Sequence, residues 1–163
     1  IYVNGYQEGK QLEYHENGNL SEEYFYKNDL MDGTSKDYYE NGVLSSEFIY
    51  VNGNQEGKQL EYHENGNLYE EYFYKNGLYE GTYKVYYESG SIETVTNYEN
   101  GLRNGEYIYY CENGEIERIG QYVNDLEDGL WKDWYCSGDT YGGRQLNYEE
   151  VWDMGKEVSR KDY

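Results

Sequence analysis

Two histidines and two cysteines have the widest chemical repertoire in this 163-residue chain, and neither pair is placed for catalysis. His15 and His63 stand 48 residues apart, and the positions in step with them hold Tyr39, Tyr87, Cys111 and Tyr135. A general base depends on its own pKa and geometry, so a position exchanged this freely reads as a strand-end residue beside a turn. Cys111 and Cys136 have 24 residues between them and fall at nearly equivalent points of successive units. In a sheet such points are two strand spacings apart, about 9–10 Å, beyond the roughly 7 Å limit for a disulfide. Two free thiols are expected, without metal-ligand spacing to either histidine. No serine or cysteine sits in a strand–turn–helix setting, and no glycine loop precedes a helix as a phosphate cradle would. The expectation is a non-enzyme with no catalytic residue, no cofactor and no metal.

Acidic loops offer one alternative. Asn28-Asp29-x-x-Asp32 and Asn124-Asp125-x-Glu127-Asp128 cluster oxygen atoms of the kind calcium takes. The other copies of the loop lack that density and no EF-hand spacing is present, so solvated turn carboxylates are the default reading.

The elements that carry these residues follow a fixed period. Gly9, Gly33, Gly57, Gly81, Gly105 and Gly129 are 24 residues apart. Tyr2, Tyr26, Tyr50, Tyr74, Tyr98 and Tyr122 keep the same step, as do the turn glycines Gly18, Gly42, Gly66, Gly90, Gly114 and Gly138. Such a period means stacked copies of one supersecondary unit that cannot bury its apolar side alone. Within a copy, residues 10–15 alternate, Glu16-Asn17-Gly18 intervenes, and residues 19–26 follow. This is a hairpin pattern. A three-residue loop at 16–18 with Gly18 left-handed sets Tyr14 opposite Leu20, and Leu20, Tyr24 and Tyr26 are expected on that same face. Repeated, it gives a column from Tyr14 and Leu20 through Tyr110 and Ile116 to Trp134. The predicted fold is all-β: an elongated, single-layer antiparallel β-meander of six 24-residue hairpin repeats over residues 1–138. Residues 139–163 read as a divergent C-terminal cap, with Val151 to Gly155 as a displaced echo of the repeat. Residues 1–28 match 49–76 at 26 of 28 positions, so a block of two repeats was duplicated. Ile1-Tyr2 matches Ile49-Tyr50, the end of a strand, and the array is expected to extend further toward its N-terminus.

The second face of the predicted sheet changes character along the chain. Gln11, Glu13, Ser35, Asp37, Gln59 and Glu61 make it polar in the first three repeats, relieved by Phe25, Ile49 and Phe73. Tyr83, Tyr87, Tyr107, Tyr109, Trp131 and Tyr135 make it aromatic in the last three. Tyrosine and tryptophan anchor interfaces, so these six are the candidate partner-binding residues, with burial beneath the cap as the competing reading.

Composition narrows the partner. The net charge is −20, with no proline and 25 tyrosines. High charge with few aliphatic residues is the usual mark of disorder, but aromatic rings held to a fixed period contradict that reading. The charge repels phosphate backbones and anionic headgroups and steers a cationic partner inward. Nucleic acid is therefore not an expected partner. No apolar run approaches a membrane span. Compartment and assembly state stay open, cytoplasmic and secreted or envelope locations alike.

The units Tyr50-Val51-Asn52-Gly53-x-x-Glu56-Gly57, then Tyr62-His63-Glu64-Asn65-Gly66-x-Leu68, then Tyr74, resemble the MORN-repeat-variant family of bacteria, over residues 2–138. That family includes antitoxins of the YwqK type. The resemblance implies a protein-interaction module or an immunity-type protein that covers a toxin, and the charge makes the expected partner basic, a toxin or a host or envelope protein. Two other functions remain as alternatives. One is a carbohydrate- or cell-wall-binding array, since Tyr-Tyr beside Glu-Asn-Gly resembles choline- and glucan-binding repeats. The other is a calcium-binding surface repeat.

Overall fold

The computed structural model describes residues 2–136 and 145–163. Gly138 and the first part of the expected cap lie outside the described residues. Every regular element among those described is a β-strand. The chain divides into two compact units, 1–78 and 79–163.

In the first unit the main strands are Gly9–Tyr14, Leu20–Lys27, Gly33–Tyr38, Leu44–Val51, Gly57–Tyr62 and Leu68–Lys75. They pair antiparallel, each with its neighbour in sequence. The second unit holds Gly81–Tyr86, Ile92–Glu99, Leu102–Tyr110, Ile116–Val123, Leu126–Tyr135, Gln145–Asp153 and Lys156–Asp162, joined in the same way. The all-β antiparallel meander expected from the repeats is the fold.

Two kinds of turn build each repeat. In the first, Gly18, Gly42, Gly66, Gly90 and Gly114 hold φ between 83° and 89°, a region where a side chain is strained. The asparagine before four of them is equally specific: Asn17 Oδ1 accepts from Asn19 N at 2.9 Å, and Asn41, Asn65 and Asn113 repeat the bond, while Ser89 stands before Gly90. This Asx turn supplies locally what the ladder cannot. The second is a two-residue turn in which both residues have positive φ, such as Asn28-Asp29, Asn52-Gly53 and Asn100-Gly101. That conformation matches the twist of a hairpin.

The register agrees with the sequence reading at the tips. Tyr14 faces Leu20, Tyr38 faces Leu44, Tyr62 faces Leu68, Tyr86 faces Ile92 and Tyr110 faces Ile116. Beyond that pair the expectation fails. A bulge shifts the register between Glu13 and Tyr14, so Glu13 pairs with Glu22 and Gln11 with Tyr24. One extra residue moves everything after it to the other face. Tyr24 and Tyr26 thus share a face with Gln11 and Glu13, not with Leu20, while Phe25 pairs with Lys10 on the far side. Apart from Cys111 at a tip, the best-buried side chains belong to the face of Gln11: Ser35, Ser46, Gln59, Tyr72, Thr96, Tyr122, Trp131 and Glu150. The Tyr14 column is more open, with Tyr14 itself 61% exposed.

Residues 145–162, expected as part of a cap, are two further strands of the second unit. Gly129 pairs with Trp152 as Gly105 does with Tyr122. Met154 and Gly155, both at positive φ, make the next two-residue turn. The echo is in structural register although it is displaced in sequence.

Candidate interaction surfaces

Along the tips, the residue after each strand reaches toward the next hairpin. His15 Nε2 lies 2.7 Å from the Tyr38 carbonyl, Tyr39 donates its hydroxyl to the Tyr62 carbonyl at 2.6 Å, and Tyr87 donates to Tyr110 at 2.6 Å. The exchangeable position of the histidines is therefore a rung between repeats. In the fifth copy the rung is covalent: Cys111 and Cys136 form a disulfide, with Cα atoms 5.9 Å apart. This corrects the expectation of free thiols. Two flat strand spacings overstate the separation because the backbones of these two tips draw closer together than the strands they join. Glu117 Oε2 lies 3.3 Å from the Cys136 sulfur.

On the other side of the ladder, successive two-residue turns are tied together by carboxylates. Glu8, Asp32, Glu56 and Glu80 each accept from a backbone N–H 20 residues on, at Asn28, Asn52, Asn76 and Asn100, over 2.9–3.2 Å. Asp128 does the same for Met154. Of the loops considered for calcium, Asp32 and Asp128 are engaged in this way. Asp125 accepts from the backbone and side chain of Arg103, bonds that hold its carboxyl below the usual range. The acidic loops are structural turns.

The six candidate aromatic residues do not form one surface. Trp131 is 1% exposed. It packs between Tyr107 at 5.6 Å and Tyr122 at 5.1 Å, with the Arg118 guanidinium 4.8 Å above its ring. Gly120 makes room beneath it, since a methyl group there would overlap the indole. Trp131 is core of the second unit and no accessible anchor. Burial raises the hydroxyl pKa of Tyr107 and Tyr122. Tyr83 packs against Tyr79 and Tyr98. The Tyr87 hydroxyl serves a tip rung and lies 3.4 Å from that of Tyr109. Tyr135 is 39% exposed. Sequence reasoning missed Arg118 and Arg103, the latter 4.0 Å from the Tyr122 ring.

The first unit carries the more unusual face. Cross-strand pairing sets Glu13 opposite Glu22, Glu22 opposite Asp37, Asp37 opposite Ser46, and Ser46 opposite Glu61. Like charges directly opposite each other destabilise a sheet. Three of this row are held by hydroxyls: Tyr24 donates to Glu13, Ser46 to Asp37 at 2.6 Å and Tyr72 to Glu61 at 2.7 Å. Burial, and then Glu13 and Asp37, raise the Glu22 pKa. The opposite face of the same strands is neutralised, with Lys10–Glu23, Lys36–Glu47 and Lys58–Glu71 ion pairs at 2.8–3.0 Å.

Repeated hairpins tied at both ends of the ladder define a modular β-repeat protein. The MORN repeat variant family matches residues 7–28, 31–52, 55–76, 79–100 and 103–124, and the chain belongs to that family. Five repeats are matched where the period marks six. Repeats of this class mediate interaction with proteins or membranes. No curated protein matches the chain.

Proposed function

We propose that the protein is a non-enzymatic interaction module that binds a basic protein partner through the acidic, tyrosine-rich face of its first unit. The observation that carries this reading is the row Glu13, Glu22, Asp37 and Glu61. Among the described residues no lysine or arginine forms an ion pair with any of the four, although lysines neutralise the reverse face. A cationic surface laid on this row relieves the repulsion between opposed carboxylates, and the net charge of −20 steers such a partner in. The resemblance to bacterial YwqK-type antitoxins extends the reading to an immunity-type role in which the partner is a basic toxin. A sugar-stacking array is less well supported, because one of the three tryptophans it would use, Trp131, is core.

The test uses lysozyme as a cationic probe and an acidic protein of similar size as control. Association with lysozyme should be fast at low salt and slow as ionic strength rises, since exposed charges are screened beyond about 8 Å at physiological salt. Neutralising Glu13, Glu22, Asp37 and Glu61 together should abolish it with the fold retained. Equal binding of both probes, or binding unchanged by neutralisation, overturns the reading.

A further inference from the structure

We infer that a groove over Ser35 in the first unit receives an arginine side chain from an extended basic segment of the partner; this rests on the proposed function and names what that acidic face recognises. The groove has a volume of about 380 Å³, with Tyr24 and Phe48 among its walls and Glu22 and Asp37 at one end. Its floor is a serine, opposite Phe48 across the strands.

The second unit shows what this face accommodates. At the 24-residue step, Gln11, Ser35 and Gln59 are followed by Tyr83, Tyr107 and Trp131. Where the second unit fills the row with large rings, the first has short or polar side chains. Glu22 likewise stands four periods before Arg118. In the second unit Arg118 lies over the Trp131 ring and 3.1 Å from a Glu127 oxygen, so a guanidinium on an aromatic ring beside a carboxylate is a filling this sheet face already uses. The first unit has the rings and the carboxylates and contains no arginine of its own.

Arginine suits the place better than lysine. Its planar guanidinium stacks on an aromatic face while its edge reaches two carboxylates, whereas an ammonium is a point charge that keeps its water. Glu22 and Asp37, opposed across the strands, offer two acceptors to one fork.

The experiment titrates the full chain with three octapeptides that alternate serine with arginine, lysine or citrulline. The arginine peptide should bind, the lysine peptide about tenfold more weakly, and the citrulline peptide not measurably. Ser35→Trp, which places in the groove the residue that its counterpart position already holds, should weaken the arginine peptide at least tenfold. If that variant melts early, Glu22→Gln with Asp37→Asn makes the same test without added volume. Equal binding of arginine and lysine peptides, or arginine binding untouched by both variants, overturns the inference. Lysozyme, run in parallel, separates the two failures. Salt-sensitive lysozyme binding that survives both groove variants, with no preference for arginine, leaves the basic-partner reading standing and removes the groove. Loss of lysozyme binding by the unaltered protein removes both.

Discussion

Gly57 lies directly opposite Tyr74 across a strand pair, and the same partnership recurs as Gly9 with Tyr26, Gly33 with Tyr50, Gly81 with Tyr98, Gly105 with Tyr122 and Gly129 with Trp152. The glycine and tyrosine periods of the sequence are therefore two halves of one cross-strand pair. Gly57 has φ 76°, which a β-branched residue resists. Gly57→Val should lower stability by about 1–3 kcal/mol, measured by urea unfolding. An unchanged midpoint would mean that this backbone conformation is not required.

Gly120→Ala should destabilise the second unit by about 1–3 kcal/mol, because the new methyl meets the Trp131 indole. Trp131→Ala empties the same place and should cost about 3–5 kcal/mol. Tryptophan fluorescence should report both losses. Tolerance of Gly120→Ala would show that the indole has room to move away.

Alkylation without reductant followed by mass spectrometry should leave Cys111 and Cys136 unmodified. Reduction should then lower the melting temperature, because opening a loop of this length removes about 3–4 kcal/mol. The double Cys→Ser variant should melt with the reduced protein. Ready alkylation of the untreated chain would show the bridge to be absent.

Glu22 gives a pH signature. Its folded-state pKa is raised, by burial first and then by Glu13 and Asp37, with His15 acting in the opposite direction. A carboxyl raised in this way holds its proton more tightly when folded. Its contribution is most favourable below the unfolded pKa and is lost as pH rises through the folded one. Glu22→Gln should therefore raise the melting temperature at pH 7, and the gain should vanish near pH 3. A gain of equal size at both pH values would assign the effect to something other than charge.

Much of the architecture was legible because turn chemistry is local. Glu16-Asn17-Gly18 carries its own Asx bond and left-handed glycine, so the hairpin and the Tyr14–Leu20 pair could be read from adjacent letters. The bulge beside that pair has no letter of its own, and its one-residue slip moved Tyr24, Tyr26 and Phe25 to faces opposite those expected. The disulfide was hidden for a similar reason. Strand spacing describes the ladder, whereas Cys111 occupies a tip position whose reach toward the next repeat shows only when His15, Tyr39 and Tyr87 are seen doing the same. Burial of Trp131 depends on Gly120, Tyr107 and Arg118 on the two preceding strands, and no single repeat announces it.

The carboxylates that tie one two-residue turn to the next work as plug and socket. Except in the fifth, where Asn104 precedes Gly105, each copy carries a plug in the acid before its periodic glycine and a socket in the amide at the start of its next turn. Duplicating or deleting whole copies leaves the plugs and sockets matched in number and position, as in the near-identical stretches 1–28 and 49–76. Asp128 finds its socket at Met154, 26 residues on, where Glu80 needs only 20. The joint therefore holds although more residues separate its two halves, and the array can lengthen, shorten or carry an insertion without redesigning its seams.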